Sequence, residues 1–164
     1  MSRKVEGLIW ANRGIRPVLP IKGTGRPNVK AGLKYEADLA QALSVGLPGV
    51  WWHYCDKNGT GWCQTDLLLR GASRDLVLEA KLTYTAEAWR QLELLYLPVL
   101  GCALARPIFG IQVCKRFLSG VGSEVMVVTD LGEAIHFAAQ GHRTVLHWLG
   151  PKLSPPLWPL RRVA

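Results

Sequence analysis

Apolar residues recur at two different periods along the chain. Across Val29–Leu43 they fall three and four apart. Leu33, Ala37, Ala40 and Leu43 trace one stripe, and the Gly and Pro of SVGLPG close the segment, so a helix is predicted there. From Val50 to Leu69 the period is that of extended chain: VWWHYC and WCQTDLLL flank DKNGTG, whose Asn58-Gly59 pair signals a hairpin. The turn GASRD leads to the strand LVLEAKL. Ala88, Leu92, Leu95 and Val99 then return to helical spacing over Ala86–Leu100. Two further strands are predicted at PIFGIQVCK and EVMVVTD, around the loop LSGVGS. DLGEAIHFAAQ reads as a short helix with Asp130 as its N-cap, and HRTVLHWL as a last short strand or helix. The expected fold class is α/β, a central mixed β-sheet flanked by helices, spanning residues 30–150. Residues 1–29 mix Gly, Pro and basic residues and read as an irregular arm with one short strand. Pro155, Pro156 and Pro159 make 151–164 an extended tail.

Within this pattern a few polar residues stand where chemistry is expected. On the strand Asp75–Leu82, the residues Leu76, Leu78, Ala80 and Leu82 share one face, and Asp75, Val77, Glu79 and Lys81 share the other. Glu79 and Lys81 thus point the same way, beside the neighbouring strand that carries Asp66. Two carboxylates on adjacent strands can hold a hard divalent cation through oxygen. A lysine beside them can offset charge at a phosphate and orient the attacking water, which is what phosphodiester hydrolysis requires. Glu36 falls inside the apolar stripe of the first helix and Gln91 inside that of the second. A carboxylate on a core-facing side is costly unless a cation or hydrogen bonds compensate.

Composition adds a partner class. The net charge is +8, and the first 34 residues hold eight basic residues, among them Arg13, Arg16, Lys22, Arg26, Lys30 and Lys34, against the single acid Glu6. Such a segment suits a polyanion, because each phosphate neutralised releases counterions. Cys55, Cys63, Cys102 and Cys114 form no disulfide framework. His53, Cys55 and Cys63 lack the spacing of a zinc site, so the thiols read as buried or free. No apolar run reaches the ~18–20 residues of a membrane span, and the N-terminal residues lack the apolar stretch of a signal peptide. An intracellular protein with no membrane association is expected.

The order Glu36, Asp66, then Glu79-Ala80-Lys81 resembles the PD-(D/E)XK nuclease superfamily over residues 30–115, with Thr65 where the proline of that name stands. The resemblance implies a restriction-endonuclease-like core binding Mg2+ or Mn2+. The metal ligands would be Asp66, Glu79, the carbonyl of Ala80, and Glu36, with Lys81 assisting the attacking water. Gln91 and Tyr96 are similar to the Gln-and-Tyr helix motif of the RecB-like branch, spaced one residue wider than its usual form.

Three functions stay open at this point. One is a small DNA endonuclease acting on branched DNA, similar to Holliday-junction resolvases and working as a homodimer. Another is a RecB-like exonuclease or the nuclease subunit of a larger machine. The third is a non-catalytic nucleic-acid-binding domain, in which Trp51, Trp52, Trp62 and Trp89 would be base-stacking platforms.

Overall fold

A computed structural model describes residues 4–15, 27–43, 46–118 and 125–150. Among these, seven strands form one mixed sheet in the order β1-β2-β3-β4-β5-β7-β6, as the alternation of strand and helix signals predicts. The strands β1 (Trp10–Arg13), β2 (Leu47–Asp56), β3 (Gly59–Arg70) and β4 (Asp75–Thr83) form an antiparallel meander. Beyond it β5 (Ile108–Arg116), β7 (Thr144–His147) and β6 (Met126–Val128) continue in parallel. The crossover from β4 to β5 is helical: α2 (Ala86–Gln91), a π turn (Leu92–Tyr96) and α3 (Leu97–Leu104). Parallel neighbours need such a long return, which here covers one face of the sheet.

The two faces carry separate cores. Tyr35, Leu39 and Leu43 of α1 (Pro27–Leu43), with Leu131, Ala134 and Ala138 of α4 (Leu131–Ala139), pack on Leu67, Leu69, Leu76, Leu78 and Val113. On the opposite face Trp89, Leu92, Leu95, Tyr96 and Val99 pack on Leu68, Val77, Trp52 and Tyr54. The alternation of β4 is as expected, Leu76, Leu78 and Ala80 against Val77. Both its faces are buried, however, because helices cover each. Burying one such aliphatic side chain contributes about 1.5–3 kcal/mol, so β4 is a rigid centre for whatever its C-terminal end presents.

Several expectations shift in detail. The α1 stripe facing the core is Tyr35, Leu39 and Leu43, whereas Leu33 is 54% exposed and Ala37 is exposed as well. Tyr35 wins the core position because its ring reaches Trp148 and its hydroxyl donates to the Trp148 carbonyl at 2.9 Å. Lys57 and Asn58 form the hairpin turn, and Gly59 opens β3 at φ +105°, one place later than an Asn-Gly loop would stand. The second helical run continues to Leu104, where Ala105 in the left-handed region ends it. EVMVVTD contracts to the three residues of β6, and HRTVLHWL contains the strand β7. The N-terminal segment joins the fold: β1 pairs with β2, and Val5 N donates to the Leu94 carbonyl at 2.9 Å. The C-terminal tail and most of the LSGVGS loop lie outside the described residues.

Candidate active site

The β3–β4 ladder runs from Arg70↔Asp75 to Leu67↔Leu78 and stops there. Asp66 and Glu79 stand one step beyond the last pair. The strands part at this level, and the Asp66 Oδ2 accepts the amide of Ala80 at 2.8 Å in place of a ladder bond. β4 stays bonded to β5 as far as Thr83, so only β3 turns aside. The β2–β3 hairpin changes phase at the same level. Val50, Trp52, Tyr54 and Cys63 pack against the α2–α3 side, and so do Leu47 and Leu68, an odd number of residues along. The β2–β3 register stays one to one through this level (Pro48↔Leu67, Val50↔Thr65), so both strands change phase together, and Gly49 at φ +60° supplies the left-handed backbone on the β2 side.

Glu79 is 1% exposed by side chain; its Oε1 lies 2.5 Å from Lys81 Nζ, and its Oε2 has no hydrogen-bond partner. Burial and the neighbouring Asp66 carboxylate push its pKa up to about 8. Burial also raises Asp66, against the pull of Lys81, the Ala80 amide and the Glu79 side chain. Burial opposes the charge on Lys81, but Glu79, Asp66 and Glu36 together outweigh it and hold its pKa above the ordinary value.

Glu36 approaches from α1. It sits between the core stripe and Leu33, Ala37 and Ala40, which line one wall of a cleft of about 320 Å³; Gly49, Gln64 and Asp66 line the other. The apolar stripe expected to face the core is thus largely a cleft wall, and Glu36 is half-buried at its base. Burial first, then the Asp66 charge, raise its pKa to about 7. Lys30 lies on the same side of α1 as Leu33, Ala37 and Ala40 by helical spacing.

Gln91 and Tyr96 meet across the π turn, the amide donating to the phenol oxygen. A π turn accommodates one residue more than an α turn. The i,i+5 spacing therefore brings the two side chains together as i,i+4 would in a regular helix. Tyr96 is buried, and the charges of Glu79 and Asp66 raise its pKa further after burial. Sequence reasoning missed Gln112, fully buried and directly beside Glu79 in the β4–β5 register. Its Nε2 donates to the Thr85 carbonyl at 3.1 Å, and the Thr85 hydroxyl caps α2. A glutamine inside the apolar run of PIFGIQVCK was the available signal.

Other candidates separate from the site. Asp75 shares a strand face with Glu79 but lies at the far end of β4, where Arg70 Nε is 2.9 Å from Oδ2 and Gly71 N donates to Oδ1. Arg13 is on the edge strand β1 and exposed, as is Lys30 on α1. Lys34 pairs with Asp38 at 2.8 Å. Arg16, Lys22 and Arg26 lie outside the described residues. Of the tryptophans weighed as platforms, Trp52 and Trp89 are core and Trp62 is 41% exposed. Cys63 packs inside while His53 stacks on Trp62, so the sparse zinc-ligand set does not converge. The four cysteines are free. A larger cavity of about 400 Å³, between the β3–β4 turn and α4, lies at the opposite end of β4 and holds no cluster of acids.

The donor set fits a hard divalent cation. Asp66 and Glu79 offer neighbouring carboxylate oxygens, one of them buried without a partner, and burial disfavours their charge in a way that a cation would relieve. Among the described residues no three His, Cys, Asp or Glu side chains form a closed cage. Glu36 is coupled to the pair through charge rather than contact. No helix among the described residues is long and apolar enough to cross a membrane. No protein-family model, curated protein or solved structure matches this chain.

Proposed function

We propose that this chain is a metal-dependent DNA endonuclease of the PD-(D/E)XK type, selective for branched DNA and active as a homodimer. The observation that carries the reading is the Asp66–Glu79 pair at the parting of β3 and β4, with Lys81 on one Glu79 oxygen and no partner on the other. Asp66, Glu79 and the Ala80 carbonyl would hold Mg2+ or Mn2+, with Glu36 as the outer carboxylate. When bound, the ion supplies Lewis-acid polarisation of the phosphate and a lowered pKa for water. Lys81, held protonated by three carboxylates, contributes charge and a hydrogen-bond donor at the phosphate rather than acting as a base. Asp66 stays oriented through the Ala80 amide. Gln91 and Tyr96 set the polar wall beside Glu79.

A second reading, a RecB-like exonuclease or nuclease subunit, draws support from the Gln91–Tyr96 hydrogen bond alone. Cleavage of a labelled four-way junction, a blunt duplex and a single strand in Mg2+ separates the two. Internal cuts near the branch are expected, along with loss of cutting in EDTA and in Asp66→Asn and Lys81→Ala. Mononucleotide release from ends would favour the exonuclease. If the wild type cuts nothing, or both variants cut as well as it does, the chain is not a nuclease and a non-catalytic nucleic-acid-binding domain becomes the better reading.

A further inference from the structure

Gln64 lines the outer end of the cleft that holds Glu36 and Asp66, and the strand face it belongs to continues beyond the cleft. On β3, Trp62 stands two residues before Gln64, in the regular part of the ladder where His53↔Trp62 and Trp51↔Gln64 are facing pairs. Trp62 and His53 stack with ring centroids 4.2 Å apart and planes 8° from parallel, and Trp10 closes the inner end edge-on at 4.9 Å from His53. Trp62 at the outer end remains 41% exposed. Its orientation is fixed from the side as well, because a side chain at Gly14 would collide with the ring, and only glycine lets the chain pass so close. Among the described residues, this aromatic pair on the outside of the sheet belongs to neither core cluster.

Four strand residues at ~3.3 Å each set Trp62 about 13 Å from Asp66 along β3. Gln64 lies between them in the same cleft as Asp66, and Lys30 stands on the α1 side of that cleft. The strand face that leads into the cleft is therefore aromatic outside it and acidic within it, on a chain with net charge +8. A base can stack on an exposed ring only when it is free of its own helix. Base–aromatic stacking is tolerant of sequence and strong enough to hold a strand.

We propose that the outer face of the β2–β3 hairpin, through Trp62 stacked on His53, holds unpaired nucleotides of the DNA strand that enters the Glu36/Asp66 cleft. This rests on the nuclease reading and narrows its substrate to branched DNA with a single-stranded segment flanking the cleaved phosphate. Backbone charge supplies affinity common to all DNA, whereas the ring stack supplies the preference for an unpaired strand.

The test is fluorescence anisotropy of a labelled 20-nucleotide oligothymidylate and of a blunt 20-base-pair duplex, measured on the full chain in EDTA so that no cleavage intervenes. Trp62→Ala and Trp62→Leu are expected to weaken oligothymidylate binding about tenfold, with the duplex nearly unchanged and Trp62→Phe within about twofold of wild type. Thermal unfolding of each variant accompanies the binding. Should no Trp62 variant fold, His53→Ala removes the ring beneath and carries the same expectation. Unchanged oligothymidylate affinity, or equal loss on both probes, overturns the proposal. So does loss of a dimer in sedimentation with oligothymidylate affinity intact, which would assign this face to a second copy. The nuclease reading fails by a different result, Asp66→Asn cutting as well as wild type, which leaves the binding outcome standing.

Discussion

Gln91 donates a hydrogen bond to the Tyr96 hydroxyl although five residues separate them, because the π turn between α2 and α3 takes up the extra one. Insertions of this kind recur at functional sites, and here Tyr96 is buried within reach of the Glu79 and Asp66 charges rather than on the helix surface. Gln91→Ala and Tyr96→Phe should each lower Mg2+-dependent cleavage about 10–100-fold, the usual cost of removing a group that orients metal ligands. Stability should fall by only about 1 kcal/mol, the net worth of one hydrogen bond. Single-turnover rates across a Mg2+ titration check this, and the double variant should be no worse than the poorer single. Full additivity would mean that the two residues act separately.

Lys81 and Glu79 make the same prediction for activity and opposite ones for stability. Lys81→Ala removes the cation nearest two raised carboxylates, so cleavage should fall about 10²–10⁴-fold and the metal-free fold should lose stability. Glu79→Gln should lose cleavage as severely yet melt at a higher temperature than wild type in EDTA, because a neutral amide replaces a buried acid that ionises at a cost. A Glu79→Gln protein that is both inactive and less stable would show that the carboxylate is a structural ion-pair partner.

Much of this site could be read from the chain because its parts are local. A four-residue turn joins β3 to β4, so hydrophobic alternation on each strand determines which of Asp66, Glu79 and Lys81 meet. Glu36 was found for a reason that needed revision. The stripe Leu33, Ala37 and Ala40 is apolar, yet it lines a cleft, and Tyr35 takes the core position through a contact with Trp148 that lies 113 residues away. Gln112 was out of reach because its place beside Glu79 depends on the register of a parallel pair joined by a long crossover. Hairpin pairing of His53 with Trp62 is local too. That no described helix packs over their face depends on where α1 ends up, which periodicity does not encode.

The raised acids tie stability to pH in the absence of metal. Below about pH 4.5 Glu79 is protonated whether the chain is folded or unfolded, and its contribution is constant. Between 4.5 and about 8 the unfolded chain has released the proton while the folded one keeps it, so each rise in pH favours unfolding. Glu36 adds the same trend up to about 7. In EDTA the melting temperature of wild type, relative to Glu79→Gln, should therefore decline through this window. Mg2+ must displace the retained protons, so its stabilising effect should grow as pH rises toward 8. A difference between the two proteins that is flat with pH, or Mg2+ stabilisation that is greatest at pH 5, would contradict a Glu79 carboxyl raised by burial.

Asp75 tests whether acidity on β4 matters by position or merely by strand. Its carboxylate is fully buried between Arg70, Arg106 and the Gly71 amide at the end of the sheet remote from the cleft. Asp75→Ala leaves the part-exposed Arg70 and the Gly71 amide without their buried acceptor, and leaving such donors unsatisfied costs about 1–3 kcal/mol. Arg106 keeps its bonds to the Gly71 and Ala72 carbonyls, so the β3–β4 turn should hold its shape in the folded fraction. The variant should thus unfold at markedly lower denaturant while the molecules that remain folded cleave at the wild-type rate. Denaturation midpoints combined with active-site-normalised rates separate these quantities. A rate loss as deep as that of Glu79→Gln in fully folded protein would mean that the two ends of β4 are coupled, and that the chemistry is not confined to the parting of β3 and β4.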